Sequence, residues 1–87
     1  MILCALCGKP AEAEHHLIFG TSARSLAEED GLKIPVCNNC HTMGKLTERI
    51  HDNVAAERLS KMLGQAIYEG QIGDRESFRK RYGKSYL

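Results

Sequence analysis

The sequence has no tryptophan, only two prolines and few aromatic residues, and no cysteine is left over once its four are paired. No apolar run approaches the roughly 20 residues that a membrane span needs, so no membrane partner is expected. The apolar opening "MILCALCGKP" has no basic flank and is interrupted by Cys4 and Cys7. It is therefore not read as a signal peptide, and a cytoplasmic location is expected. The net charge of +1 names no partner by itself. There are no repeats, no low-complexity tracts and no linker long enough to divide the chain, which leaves a single domain over 1–87. A chain of 87 residues buries only a modest fraction of its surface, and such domains often need a staple.

The cysteines supply a candidate for that staple. They fall as Cys4-x-x-Cys7 and Cys37-x-x-Cys40. Two such knuckles can place four thiolates tetrahedrally around one Zn2+. Two disulfides would need an oxidising compartment, for which no export signal is visible. A redox role is disfavoured because the βαβ context of thioredoxin-like proteins is missing. Residues 8–36 separate the knuckles, more than the loop of a simple zinc ribbon, so the metal closes a loop with contents of its own.

Those contents read as an α+β arrangement. "AEAEHHLIF" alternates like a strand and ends at Gly20. "TSARSLAEEDG" reads as a short helix, capped by Thr21 or Ser22 and stopped by Gly31. "LKIPV" reads as a second strand, with Pro35 suiting an edge or an end. "CNNCHTM" begins a helical turn that ends near Gly44. "HDNVAAERLSKMLGQAIYEG" is expected to be a long helix capped by Asp52 or Asn53. Its apolar stripe of Val54, Leu59, Met62, Leu63, Ala66 and Ile67 should face the core. Asp74 should cap a last helix, through Arg81, that packs Phe78 and Tyr82 back on the domain.

All four histidines, His15, His16, His41 and His51, lie around the second knuckle. Three imidazoles can bind a divalent ion and leave positions open, while a fourth stays off the metal as a general base near neutral pH. Neighbours on a strand point to opposite faces, so His15 and His16 are badly placed to chelate one ion together. They are well placed to divide the work, one on the metal and one beside it.

The order C-x-x-C, "HH", C-x-x-C-H, then a further His resembles the HNH endonucleases of the ββα-metal (His-Me finger) class, especially the small phage-encoded HNH proteins. The segments "HHLIFG", "GLKIPVCNNCH", "IHDN", "LGQAIYE" and "YGKSYL" carry that likeness over almost the whole chain. The resemblance implies a ββα-metal region over 1–52, stapled by a structural Cys4 zinc, and C-terminal helices over 53–87. It implies His15 as a metal ligand, His16 as the base that deprotonates water, and His41 as a second ligand. His51 becomes the third, displaced by the insertion "TMGKLTERI". The asparagine that many members use to orient the base has no counterpart in "DGLKIP", which leaves a backbone carbonyl or Asn53 for that role.

The implied activity is metal-dependent hydrolysis of DNA, expected to be double-stranded, with Mg2+, Mn2+, Ni2+ or Zn2+ as the catalytic ion and 5′-phosphate products. The phage likeness brings packaging or recombination proteins into view as partners. A chain with so little net charge must concentrate its phosphate contacts, and Arg75, Arg79, Lys80, Arg81 and Lys84 in the basic tail are the candidates. The competing readings are a non-catalytic zinc module that binds DNA or a protein, and an inactive nuclease-like subunit of a phage machine.

Overall fold

Alternation sets the two strands. Ala13–His16 (β1) pairs antiparallel with Lys33–Val36 (β2), in the register Ala13 to Val36, Glu14 to Pro35, His15 to Ile34 and His16 to Lys33. The computed structural model describes residues 2–20, 22–45 and 49–87. Helix α1 (Ala23–Asp30) connects the strands. A π-helical turn at Asn39–Met43, a long helix α2 (Val54–Gln71) and a short helix α3 (Arg75–Tyr82) follow. The class is α+β.

Strand β1 is shorter than its pattern suggested. It ends at His16, although the Leu17 amide still donates to the Leu32 carbonyl at 2.8 Å. Leu17 and Ile18 then enter the core with Ala27, Leu32, Tyr68 and Phe78. Pro35 lies in the two-stranded sheet, and its carbonyl accepts the Ala5 amide at 2.8 Å, which ties the first knuckle to β2. Gly31 ends α1 in the left-handed region at φ 71°, where a side chain would be strained. Ser22 precedes α1 but makes no capping hydrogen bond through its side chain. Thr21, the other expected cap, lies outside the described residues, as does part of the "TMGKLTERI" segment.

Of the stripe expected to bury α2, Ile67 packs against the main core and Met62 is half-buried, but the other members are displaced. Val54, Leu59 and Leu63 are 82%, 63% and 47% exposed, and Ala66 is exposed as well. The buried face carries Ser60, Gly64, Gln65 and Tyr68. Close approach is the reason. A β-carbon on Gly64 would stand 2.8 Å from Ile18 Cγ1 and 3.0 Å from Leu17 Cβ. The helix can touch the strand exit only through its smallest residues, which turns the leucines aside.

Asp74 caps α3 by accepting the Ser77 amide at 2.8 Å, and the Ser77 hydroxyl reciprocates on the Asp74 amide. This fixes the helix so that Phe78 is wholly buried and stacks on Tyr82, ring centroids 4.6 Å apart. Burying a phenylalanine contributes about 1.5–3 kcal/mol. Arg81 reaches Asp30 at 2.7 Å and Glu29 at 2.9 Å, and Tyr82 donates to Asp30 at 2.8 Å. The acidic end of α1 and the basic tail thus meet inside one molecule.

Candidate metal centre

The second, smaller core is built around sulfur. Cys4, Cys37 and Cys40 are buried with Val36 and Ile50, and Ile34 packs against both this group and the main core. One ligand atom from each of Cys4, Cys7, Cys37 and Cys40 lies within 4.8 Å of the others, and all four are free thiols. Cys7 Sγ and Cys37 Sγ are 3.6 Å apart. That is far beyond the ~2.05 Å of a disulfide. It is close to the edge of ~3.8 Å that tetrahedral zinc–sulfur bonds of ~2.3 Å generate. Burial raises both Cys4 and Cys40. Backbone amides at Cys37, Leu6 and Cys7 reverse this for Cys4, whereas neighbouring thiols push Cys40 higher still. Four thiols this close cannot all ionise without a cation among them, so the cluster can hold a metal ion such as zinc.

Backbone geometry makes the knuckles rigid. Gly8, at φ 80°, turns the first so that the Cys4 amide reaches the Lys9 carbonyl. The second is gripped by Glu12, whose carboxylate accepts from the Asn38 amide and from Asn38 Nδ2, each at 3.2 Å.

The second knuckle leads directly into the histidines. The Ile50 amide donates to the Cys40 carbonyl at 2.8 Å and the His51 amide to the His41 carbonyl at 3.2 Å. These two bonds lay His51 beside His41. Arg49 holds the loop between them, donating to the carbonyls of His51, Thr42 and Gly44 and pairing with Asp52 at 3.2 Å. His41 Nε2 and His51 Nε2 are 3.0 Å apart. With His15 they form a second group whose ligand atoms lie within 4.8 Å of one another. Phe19 walls the group, its ring 4.9 Å from that of His51.

His15 has the most informative surroundings. Its Nε2 is 2.8 Å from Ser60 Oγ, and Ser60 donates its only proton to the Leu17 carbonyl at 2.8 Å. The hydroxyl must therefore accept from His15, which places the ring proton on Nε2. His15 Nδ1 is left with a lone pair, buried and with no hydrogen-bond partner. Burial, reinforced by His51 and His41, pushes His15 down to about 4. A buried, neutral imidazole with an unpartnered lone pair beside two other imidazoles has the chemistry of a metal ligand.

His41 is also held below the usual histidine range, by burial and then by His51 and Arg24. His51 Nδ1 lies 3.7 Å from the Glu57 carboxylate.

His16 takes the other side of the strand. Its Nε2 is 2.8 Å from Glu28 Oε2 on α1, and it is not part of the three-histidine group. It nevertheless lines the same cleft as His15, His41, His51, Glu14 and Arg24, a space of about 250 Å³. The carboxylate accepts from Nε2, which leaves the lone pair on Nδ1. Glu28 is itself held below the ordinary carboxylate range by His16 and Lys33. Asn53 serves elsewhere as the N-cap of α2, accepting the Ala56 amide at 3.2 Å. The group set against His16 is therefore Glu28.

Ser60 and Glu28 were invisible to motif reading. Their partners had a signal: a His–His pair on a strand needs a polar neighbour on each face, and only the flanking helices can supply them. Of the five tail cations, Arg75 pairs with Glu69 at 3.2 Å and Arg81 with Asp30 and Glu29. Arg79 and Lys80 are exposed on α3, and Lys84 Nζ lies 5.2 Å from the centre of the Tyr86 ring. The basic tail is thus partly consumed by contacts within the fold. Among the described residues, no helix is long and apolar enough to cross a membrane.

No protein-family model, no curated protein and no solved structure matches this chain.

Proposed function

We propose that the protein is a metal-dependent DNA endonuclease of the ββα-metal, HNH type, with His15, His41 and His51 holding one divalent ion and His16 acting as general base. The observation that carries this reading is the buried, unpartnered Nδ1 of His15, whose ring packs against those of His41 and His51, in a cleft that His16 also lines. A purely structural trio would be expected to satisfy that nitrogen. Four thiols at metal-ligand spacing support a structural zinc beside it. Two antiparallel strands followed by a helical turn bearing His41 suit the ββα-metal arrangement.

Each residue has a task in phosphodiester hydrolysis. A divalent ion bound by the three imidazoles supplies positive charge for the oxygens that gain negative charge in the transition state. His15 is kept neutral by burial beside His51 and His41, and Ser60 holds it in one tautomer. His16 offers a lone pair on Nδ1 to take a proton from the attacking water, while Glu28 holds the ring and balances the charge it gains. Arg24, on the same cleft, can pair with a phosphate oxygen. General-base help of this kind is worth about 10²–10⁴-fold.

The direct test is conversion of supercoiled plasmid with Mg2+, Mn2+, Ni2+ or Zn2+ added, against EDTA. Cleavage should need an ion, persist in Lys9→Gln and be lost in His41→Ala and His16→Ala, with His16→Ala retaining the ion and His41→Ala losing it. No cleavage with any ion would leave the protein a non-catalytic zinc module.

A further inference from the structure

Two cations outside the basic tail, Arg58 and Lys61, converge with Lys84 of the tail on a cleft between α2 and the C-terminal segment. Arg58, Lys61 and Lys84 line it with Tyr86, and its volume is about 430 Å³. Lys61 Nζ stands 4.6 Å from the centre of the Phe19 ring and 5.7 Å from that of Tyr86, while Lys84 Nζ is 5.2 Å from Tyr86. Two ammonium groups therefore share one aromatic ring, an attraction that helps hold like charges together.

Among the described residues, none of the three cations is within ion-pair distance of a carboxylate, unlike Arg75 and Arg81. Glu57 is the one acid on the cleft wall, and its carboxylate receives the Asp52 amide at 3.2 Å and faces His51. The tail is pinned in place from below. Gln65 is wholly buried, donates to Ser85 Oγ at 2.9 Å and accepts the Tyr86 amide. The cleft thus sets three cations against one carboxylate, and that carboxylate is engaged by the Asp52 amide and His51.

Its location gives it a use. Glu57 and Phe19 connect the cleft to the histidine group, since both also contact His51. We propose that this cleft seats the sugar–phosphate backbone of duplex DNA beside the histidine centre, with Arg58, Lys61 and Lys84 as its phosphate contacts. The proposal rests on the endonuclease reading for why DNA lies there, but the contacts themselves do not need cleavage. The partner is a backbone and not stacked bases, because the Phe19 and Tyr86 faces that bases would need are covered by ammonium groups. Such contacts position the duplex without reading its sequence.

The test is the affinity of the full chain for a fluorescent DNA duplex over a salt series, with Ca2+ as the added ion. Each phosphate neutralised contributes about −0.9 to the slope of log affinity against log salt. R58Q/K61Q/K84Q should flatten the slope by up to ~2.7, and K9Q, on the first knuckle and lining neither this cleft nor the histidine cleft, should leave it unchanged. Should the triple variant fail to fold, K61Q alone should flatten it by ~0.9. An unchanged slope in the cleft variants, or an equal flattening by K9Q and K61Q, overturns the proposal, as does a wild-type chain that does not bind DNA. Plasmid cleavage by a chain whose cleft variants bind normally would overturn the cleft and spare the nuclease. Cleft-dependent binding without plasmid cleavage would do the reverse.

Discussion

Ser60 Oγ lies 2.8 Å from His15 Nε2, joining the middle of α2 to β1 through a single proton position. The hydroxyl is already spent on the Leu17 carbonyl, so the bond can run in only one direction. A serine 45 residues away in sequence thereby decides which nitrogen of His15 carries the proton and which keeps its lone pair.

Ser60→Ala should loosen that choice. With no acceptor at Nε2, the ring can carry its proton on either nitrogen, and the loss of such a supporting contact typically costs 10–100-fold in metal affinity. The Leu17 carbonyl also loses its donor, at a cost of about 1–3 kcal/mol. Titration calorimetry with Ni2+ or Zn2+ on the zinc-loaded protein measures the first effect and chemical denaturation the second. Unchanged affinity would reduce Ser60 to a packing contact.

Cys37→Ser should remove the staple and the minor core together. Cys37 is buried against Val36 and Ile50, and with its knuckle partner Cys40 it fixes the start of the segment that carries His41. Binding energy at such a site is folding energy. The variant should therefore lose zinc by elemental analysis and lose its cooperative thermal transition, and a strong chelator should do the same to the wild type. Retention of both properties would rule the metal out as a staple.

How much of this was legible in the sequence depended on the range of the interaction. Cys-x-x-Cys spacing and the Asp74 cap are local, and each has a short physical cause. The α2 stripe was not legible, because periodicity finds apolar residues without knowing how near the next element will come. Gly64 against Ile18 set that distance, and Leu59 and Leu63 turned toward a cavity of about 230 Å³ shared with Leu6 and Ile50. The pairing of Arg81 with Asp30 failed for a related reason. Both charge runs were plain, but nothing local says that two exposed runs will face each other across 51 residues.

Gly64→Ala puts these competing effects on one scale. Alanine favours a helix interior over glycine by about 1 kcal/mol. The added β-carbon would meet Ile18 Cγ1 at 2.8 Å, and overpacking of a core contact costs typically 1–3 kcal/mol. The net effect should be destabilisation by about 1 kcal/mol, with metal affinity at the histidines reduced because α2 carries Ser60. A more stable variant would mean that the helix and strand exit can separate freely.

Glu28→Gln tests whether the partner of His16 does more than sit on the surface. The Glu28 side chain is 55% exposed, so its ion pair contributes little to stability. Its value lies in orientation: a carboxylate can only accept, which commits His16 to carrying its proton on Nε2. An amide can also donate, so the glutamine allows the opposite tautomer and no longer balances the imidazolium. Lys33 keeps Glu14 at 3.3 Å, so the strand pair should survive. Cleavage should fall by about 10–100-fold, part of the 10²–10⁴-fold that a general base supplies, while metal affinity measured by calorimetry stays the same. Glu29→Gln on the same helix is the control. It removes the pair with Arg81 and should leave cleavage intact. Equal activity in the Glu28→Gln and Glu29→Gln proteins would make Glu28 a surface acid and leave the base to be oriented by something else.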